Sequence, residues 1–190
     1  MANIWQGLFR HFCNWLYFAR ISVVSPERLP PGGSVLFIGL HRNGAVDGFV
    51  FDTVLGHPIF LISAQLRKRI LGRLFFSGIE VVRPKDAGDR GLNAGAMDKC
   101  LRHLRTGGQL MIFPEGTSSL GPRHLPFKSG AAQLALDCLK AGTMIQILPI
   151  GLHYERPWAF RSKVEVVIGE PISAELGGTL TALGRLKELK

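Results

Sequence analysis

The sequence predicts an α/β fold: a single domain with a mostly parallel mixed sheet flanked by helices, preceded by an N-terminal amphipathic helix. Three observations support this prediction. Short apolar runs alternate along the chain with longer amphipathic segments, which is the order of strands and helices in α/β proteins. Proline and glycine separate these segments. The chain has 190 residues, of which 46% are hydrophobic, and this is enough for one sizeable core.

The first predicted element is an amphipathic helix over residues 3–20. With about 3.6 residues per turn, its large apolar side chains share one face. That face carries Trp5, Leu8, Phe9, Phe12, Trp15 and Leu16, whereas Gln6, Arg10 and Asn14 fall on the opposite face. Such a helix either packs on its own domain or lies in a membrane interface, and the pattern leaves both alternatives open.

The remaining elements are predicted from changes in the hydrophobic pattern along the chain. Short apolar runs bounded by turn residues predict strands, and longer segments with helical periodicity predict helices. The predicted strands cover residues 34–40, 59–63, 79–82, 110–113, 144–150 and 164–168. The predicted helices cover residues 45–55, 64–76, 92–104, 130–140 and 180–189. The helix at 64–76 is basic, because it carries Arg67, Lys68, Arg69 and Arg73 among apolar residues.

Composition narrows the class of partner. Lys and Arg number 23 against 14 Asp and Glu, which gives a net charge of +9 and favours a phosphorylated substrate, an anionic lipid or a nucleic acid. The scattered Cys13, Cys100 and Cys138 predict free thiols in a reducing cytosol, and no cluster predicts a metal site. We expect no transmembrane helix and no secretory signal, because the apolar stretches are short and interrupted.

Reactive side chains follow three of the predicted strands. His41 to Asp47 comes after the first strand, Arg83 after the third, and residues 113–117 after the fourth. In open α/β sheets, functional groups gather beyond the carboxyl ends of the strands. We therefore expect these segments to meet at one edge of the sheet.

His41 is a candidate general base, and Asp47 is a candidate partner that fixes its tautomer. The two residues are six positions apart, so they would not share a face of one straight helix. The pair forms only if His41 precedes the helix and a turn at Gly44 folds the chain back. An isolated His and Asp at this spacing is more often structural than catalytic. The sequence has no Ser or Cys in a nucleophile elbow, so the base would activate a substrate hydroxyl directly.

A second group of residues is suited to binding an anion. Arg83 follows a predicted strand, and Lys128 with Ser129 precedes a predicted helix, whose N-terminus can receive a phosphate. Glu115 would bind substrate hydroxyls or orient Arg83. Alone, each of these residues is more often a solvated cation, or a helix-cap or loop acid, than a binding residue.

Together, these segments resemble the glycerophospholipid acyltransferases, typified by the 1-acylglycerol-3-phosphate acyltransferases. Four blocks match in order: His41 to Asp47, residues 78–83, the FPEGTS segment at 113–118, and LPIG at 148–151. Residues 127–131 resemble the F-K-x-G-A segment that follows the third block. The resemblance covers roughly residues 34–172, and the F-P-E-G-T block is the most specific part.

The first block departs from the usual pattern of the family. Five residues separate His41 from Asp47, where the family usually has four. A branch with the pattern H-x-N-x-x-x-D includes fungal acyltransferases that act on glycerol 3-phosphate or dihydroxyacetone phosphate, and residues 154–171 also resemble that branch. The family resemblance as a whole implies lysophosphatidate as the acceptor. The extra residue in the first block makes glycerol 3-phosphate, dihydroxyacetone phosphate or another lysophospholipid the alternatives.

The resemblance also implies roles and partners. The acyl donor would be acyl-CoA or acyl carrier protein, without a further cofactor or metal. His41 and Asp47 would be catalytic, and the acceptor would be bound by Arg83, Glu115, Gly116, Thr117 and Lys128. Residues 1–25 would form a membrane-contact helix, and residues 26–190 would form the acyltransferase domain. The protein would be a peripheral or monotopic protein on the cytoplasmic face of a membrane.

Two rival functions remain at this point. A non-enzymatic basic module that binds nucleic acid or membrane would account for the net charge, but not for reactive residues at several strand ends. A hydrolase would use the same base on water. The prediction is an acyltransferase with no nucleic-acid partner.

Overall fold

The apolar runs lie side by side in one mixed sheet. The computed structural model describes residues 4–63, 78–81, 91–121 and 123–173. Its helices are α1 (Ile4–Tyr17), α2 (Ala45–Leu55), α3 (Gly91–Arg105) and α4 (Gly130–Lys140), with a 3-10 turn at Pro26–Arg28. Its strands are β1 (Arg20–Val24), β2 (Val35–Gly39), β3 (Ile59–Ser63), β4 (Gly78–Val81), β5 (Gln109–Ile112), β6 (Gln146–Tyr154), β7 (Lys163–Ile168) and β8 (Ile172–Ser173).

Within the described residues the strands form one eight-stranded sheet in the order β1-β7-β6-β2-β5-β3-β4, and β8 pairs with β6. The strands from β6 to β4 along this order are parallel to one another. β7 and β8 run antiparallel to β6, and β1 is parallel to β7. The predicted α/β fold with a mostly parallel mixed sheet is confirmed.

Each face of the sheet carries its own apolar core. One core packs Phe37, Phe51, Leu148 and their neighbours under α1 and α2. The other packs Leu36, Leu104, Leu134 and their neighbours under α3 and α4. Successive residues of β2 alternate between the two cores, as the two-residue period of a strand requires. The buried runs are continuously apolar because both faces are covered.

α2 packs closely on the end of β2. A methyl group at Gly39 would lie 3.2 Å from the Phe51 ring and 2.3 Å from Met111 Cε. Because Gly39 has no side chain, α2 and β5 can pack closely against the end of β2, just before His41. This contact fixes the distance between the end of β2 and α2, which together carry the candidate base and its partner.

The N-terminal region differs from the prediction in two ways. Residues Arg20–Val24, grouped by the sequence with the N-terminal helix, form β1 and pair with β7 from Arg20↔Lys163 to Val24↔Val167. β8 was not predicted either. α1 ends at Tyr17, three residues before the predicted end at residue 20. The predicted helices at 64–76 and 180–189 lie outside the described residues.

α1 packs on the domain through the face that the sequence marks as polar. Asn14 is 4% exposed, and its amide donates to Phe49 O (3.0 Å) and Thr53 Oγ1 (2.7 Å) of α2. The apolar side chains Leu8, Phe12, Trp15 and Leu16 are between 47% and 70% exposed. Within the described residues, no helix has the length and apolar character needed to cross a bilayer.

Candidate active site

The candidate site lies at the carboxyl ends of two neighbouring parallel strands. β2 and β5 pair from Val35↔Gln109 to Ile38↔Ile112, so the segments that follow them leave the sheet side by side. The loop after β2 carries His41, and the loop after β5 carries Glu115. Backbone groups of His41 contribute to joining the loops: Ser119 N donates to His41 O (3.0 Å), and His41 N donates to Glu115 Oε1 (3.1 Å). The structure thus brings these two predicted segments together.

His41 and Asp47 form the pair that the sequence predicted. His41 Nδ1 lies 2.9 Å from Asp47 Oδ2. The chain folds back at Gly44, which has φ 59° and ψ −130° and precedes the first residue of α2. This conformation is sterically accessible to glycine and strained for other residues. Gly44 therefore makes the turn that places Asp47, in the first turn of α2, against the imidazole.

Asp47 is fully buried and accepts hydrogen bonds from several donors. Its side chain is 0% exposed. Besides the contact with His41, Asn43 N donates to Oδ2 (2.8 Å) and the Tyr154 hydroxyl donates to Oδ1 (2.6 Å). A buried carboxylate needs such hydrogen-bond donors to offset its loss of water. With Asp47 as the acceptor, the Nδ1–H tautomer of His41 is favoured, and its Nε2 lone pair is left to accept a proton from a substrate.

Tyr154 is a site residue that the sequence analysis missed. It ends β6, 107 residues after Asp47, and no local pattern connects the two. Its ring stacks on Phe18, with the centroids 6.0 Å apart. Burial first, and the Asp47 carboxylate second, raise the pKa of Tyr154 above its ordinary value. The phenol therefore stays protonated and donates to Asp47 at any working pH.

The Tyr154→Phe substitution is expected to lower kcat several-fold and to move the acid limb of the kcat/KM profile to higher pH. Phenylalanine keeps the ring contact with Phe18 but removes one donor to Asp47, so the carboxylate attracts the imidazolium cation more strongly. The lost hydrogen bond also costs about 1–3 kcal/mol of stability. pH–rate profiles and thermal melts measure these effects. A melt shift with an unmoved acid limb would show that Tyr154 only stabilises the fold.

The imidazole is positioned by a ring contact as well as by Asp47. It stacks on Phe113, with the centroids 4.2 Å apart and the planes 15° apart, and the side chain is 16% exposed. Phe113 is the first residue after β5. The ring is therefore held at the rim of the sheet, partly open, and not inside the packed core.

Glu115 is buried and bonded to the backbone of both loops. It is 2% exposed, its Oε1 accepts from His41 N, and its Oε2 accepts from Leu125 N (3.2 Å). Both carboxylate oxygens are thus engaged by the chain itself. In the structure Glu115 positions the loop that carries His41, and direct binding of an acceptor by this carboxylate stays a prediction.

The remaining predicted binding residues fall into two groups. Gly116 and Thr117 lie in the loop after β5, and the Lys128 side chain crosses over Gly116, where a methyl group would lie 2.5 Å from Lys128 Nζ. Lys128 N also donates to Pro114 O (2.9 Å). Arg83 lies outside the described residues, as does the basic segment from Arg67 to Arg73.

An apolar cavity of about 550 Å³ opens beside the site. It runs between the sheet and α4, and Leu40, Pro114 and Lys128 line one end of it. Apolar side chains line most of the rest, among them Ala135, Leu136, Ile147 and Ile172. An apolar chain with a polar end would place that end near Leu40, the residue before His41.

A second cavity, of about 690 Å³, also reaches Leu40 and has a basic lining. Its cationic or titratable residues are Arg42, Arg123, His124, His153 and Tyr154. The Arg42 guanidinium donates to Gly121 O, which holds this side chain over the loop after β5. Leu40, the residue that precedes the candidate base, thus lines both the apolar and the basic cavity.

The described residues offer neither a cysteine nucleophile at this site nor a metal cluster. Cys100 and Cys138 are free and buried in the core under α3 and α4, and burial raises the pKa of Cys100 to about 12. No group of three or more His, Cys, Asp or Glu in the described ranges could hold a metal ion.

Comparison with known proteins gives relatives of one kind. Over 82 residues, 42% of this chain, the sequence is 42% identical to glycerol-3-phosphate O-acyltransferase 2 of Saccharomyces cerevisiae, of which it covers 11%. Over 142 residues, 73% of this chain, it is 30% identical to 1-acyl-sn-glycerol-3-phosphate acyltransferase of Borreliella burgdorferi, of which it covers 53%. The chain thus spans about a tenth of the yeast relative and about half of the bacterial one.

The fold is similar to that of a solved enzyme structure. The crystal structure of the 1-acyl-sn-glycerophosphate (LPA) acyltransferase PlsC from Thermotoga maritima superposes with a TM-score of 0.66 at 21% identity, and the match covers 98% of this chain and 75% of the other. Residues 20–153 match the acyltransferase family. That range contains His41, Asp47 and the FPEGTS segment, and the chain belongs to the acyltransferase family.

Proposed function

We propose that the protein transfers a fatty acyl group from a thioester to the hydroxyl of a glycerol-phosphate lipid, with lysophosphatidate as acceptor and phosphatidate as product. The observation that carries the proposal is the His41–Asp47 contact of 2.9 Å at a partly open rim beside an apolar cavity. Membership of the acyltransferase family and the names of the relatives support it.

In the proposed reaction, His41 Nε2 takes the proton of the acceptor hydroxyl. Asp47 accepts from Nδ1–H, so it fixes the tautomer and stabilises the imidazolium that forms. The acceptor oxygen attacks the thioester carbonyl directly, and the thiol leaves with the proton that His41 returns. General base catalysis supplies about 10²–10⁴-fold, and positioning of the two substrates supplies much of the remaining acceleration.

The donor is proposed to be acyl-CoA or an acylated carrier protein, with no further cofactor. The apolar cavity of about 550 Å³ would take the acyl chain, because its lining offers apolar contact along the sheet and α4. The thioester would then lie at the Leu40 end, next to His41. The basic lining of the second cavity is compatible with a phosphate-bearing donor or acceptor.

The acceptor phosphate is proposed to bind at Lys128, Thr117 and the Gly116 backbone, with Arg83 as a further partner. Ser129, which precedes α4, makes no side-chain cap, so the first N–H groups of this helix remain suited to an anion. The 42% identity with a yeast glycerol-3-phosphate acyltransferase supports glycerol 3-phosphate as a second candidate acceptor.

We further propose that the protein works at the cytoplasmic face of a membrane, with residues 1–25 contributing the contact helix. The exposed residues Leu8, Phe12, Trp15 and Leu16 on α1 would enter the interface, where tryptophan is favoured. α1 has 14 residues, so it is about 21 Å long, which suits a helix lying in the interface. β1 anchors this helix to the sheet.

A product assay tests the proposal. Purified protein, labelled acyl-CoA and a panel of lysophosphatidate, glycerol 3-phosphate, dihydroxyacetone phosphate and a neutral lysophospholipid should give an acylated lipid only with an acceptor that carries a phosphate monoester. Release of labelled fatty acid at the same rate with and without acceptors would show a hydrolase instead. Absence of any turnover, with salt-sensitive binding to nucleic acid, would favour a basic binding module.

A further inference from the structure

We propose that the turn between β6 and β7, residues 155–162, is a second membrane-contacting element that places Trp158 and Phe160 in the interface of an anionic bilayer beside α1. The inference deepens the proposed function, because it names a surface that would hold the site at the lipid. The inference depends on the proposed function only in naming a lipid bilayer as the partner of this surface.

The tip of this turn exposes two large aromatic side chains. Trp158 is 75% exposed and Phe160 is 62% exposed. Both follow β6, so they lie at the same end of the sheet as His41, whose strand β2 is parallel to β6. Aromatic side chains are favoured at the boundary between water and lipid. The turn therefore presents an apolar tip at the rim that carries the site.

The turn is held firmly against the C-terminal end of α1. Arg161 N donates to Tyr17 O (2.8 Å), and its guanidinium donates to Trp15 O (3.0 Å). Arg161 has φ 59°, a left-handed conformation that costs free energy for a non-glycine residue and persists only where surrounding contacts impose it. The exposed rings thus stand on an ordered support that is bonded to α1.

The apolar tip also packs on the end of α1. The Phe160 and Tyr17 rings meet edge to face, with the centroids 5.9 Å apart. On α1, the exposed Trp15 and Phe12 rings have centroids 6.0 Å apart. Two adjoining segments of the chain therefore expose apolar side chains, and we call this set the aromatic rim: Leu8, Phe12, Trp15, Leu16, Trp158 and Phe160.

The charges beside the aromatic rim favour an anionic bilayer over a protein partner. Arg156 and Arg161 flank the tip and are exposed. The nearby carboxylate of Glu155 lies 3.9 Å from Lys163 Nζ, so an opposite charge offsets it. A ring of apolar side chains bordered by cations is the pattern of proteins that lie on anionic lipid.

The turn also contacts the loop that carries the catalytic pair. The Asn43 side-chain amide donates to Pro157 O (2.6 Å), and the Asn43 backbone N–H donates to Asp47 Oδ2. Asn43 is thus hydrogen-bonded both to Asp47 and to Pro157, which precedes Trp158. A bilayer in contact with the aromatic rim would lie next to His41, where a membrane-bound acceptor has to arrive.

A depth measurement on Trp158 tests the proposal without any substrate. The chain has three tryptophans, so the Trp5→Phe/Trp15→Phe variant leaves Trp158 as the single tryptophan, whose emission is excited selectively. With vesicles of phosphatidylglycerol and brominated phosphatidylcholine, we expect a blue-shifted emission that the bromine quenches. Unshifted, unquenched emission, or failure of the protein to bind these vesicles, would overturn the proposal.

Met144 provides the matched control. It is 85% exposed and lies two residues before β6, at the opposite end of the strand from Trp158. In a Trp5→Phe/Trp15→Phe/Trp158→Phe background, the Met144→Trp side chain should remain unquenched, and quenching there would show indiscriminate adsorption.

Removing the aromatic tip gives an independent readout. The Trp158→Ala/Phe160→Ala variant should partition into phosphatidylglycerol vesicles about tenfold more weakly, whereas Met144→Ala should bind like the parent protein. Equal binding by the double variant would overturn the proposal. These experiments measure no turnover, so they are independent of the proposed activity. If the protein bound vesicles and Trp158 were quenched, but no acyl transfer occurred, the proposed function would be wrong and the membrane-contact proposal would still hold.

Discussion

The His41→Ala substitution is expected to lower kcat by about 10²–10⁴-fold, the usual contribution of a general base. Alanine removes the group that accepts the proton of the acceptor hydroxyl in the proposed reaction. The imidazole is at the rim, stacked on Phe113, so its loss leaves the two cores intact. KM for the acyl donor should change little, because the acyl chain would bind in the apolar cavity.

His57 offers a matched control for this experiment. It also pairs with an aspartate, since its Nδ1 lies 2.7 Å from Asp52 Oδ2, but it follows the C-terminus of α2 at the opposite end of the helix from the site. The His57→Ala variant should retain transfer activity. If His41→Ala turned over at the parent rate in steady-state assays with labelled acyl-CoA, the catalytic assignment of His41 would be wrong.

The Asp47→Asn substitution is expected to have the second large effect, a loss of kcat of up to about 10⁴-fold. Asparagine is nearly isosteric, but it places an N–H group where one of the two carboxylate oxygens accepts hydrogen bonds. The buried site has donors from His41, Asn43 and Tyr154, so one donor would then face another. The imidazole would lose its Nδ1–H tautomer and the partner that stabilises its cation.

Asp52→Asn serves as the control, because it makes the same chemical change at the His57 end of α2. Single-turnover rates, corrected for the folded fraction measured by circular dichroism, separate catalysis from stability. A parent-like single-turnover rate for folded Asp47→Asn would show that the carboxylate only supports the fold and that His41 acts without it.

Local patterns in the sequence predicted much of this architecture. The bounds of α2 and α4 agree with the structure, and β3 agrees over Ile59–Ser63. Pro or Gly delimits each of these elements, and in addition β3 is a continuous apolar run and α4 is amphipathic. The meeting of His41 and Asp47 was predictable as well, because Gly44 is a local signal for the turn that the pair needs.

Long-range contacts explain what the sequence did not predict. β1 is short and partly exposed, and it becomes a strand only by pairing with β7, from Arg20↔Lys163 onward. Tyr154 reaches Asp47 across 107 residues, and its position in an alternating strand carries no catalytic signal. Glu115 was predicted at the right edge, but only the fold shows that backbone N–H groups engage both of its oxygens.

The N-terminal helix shows why amphipathicity alone leaves two alternatives. Its periodicity marks an apolar face correctly, but that pattern does not say whether protein or lipid covers the face. The structure buries Asn14 against α2 through specific hydrogen bonds and leaves Trp15 70% exposed. The polar side thus packs on the domain, and the apolar side is available to a bilayer.

In the proposed mechanism, His41 activates the acceptor for direct attack, and no acylated protein forms. Rapid-quench mixing with labelled acyl-CoA and acceptor, followed by mass spectrometry of the intact protein, tests this mechanism. We expect thiol release and product formation at one common rate, with no acyl adduct on the chain at any time. An acylated protein that forms and decays fast enough to account for turnover would contradict the mechanism.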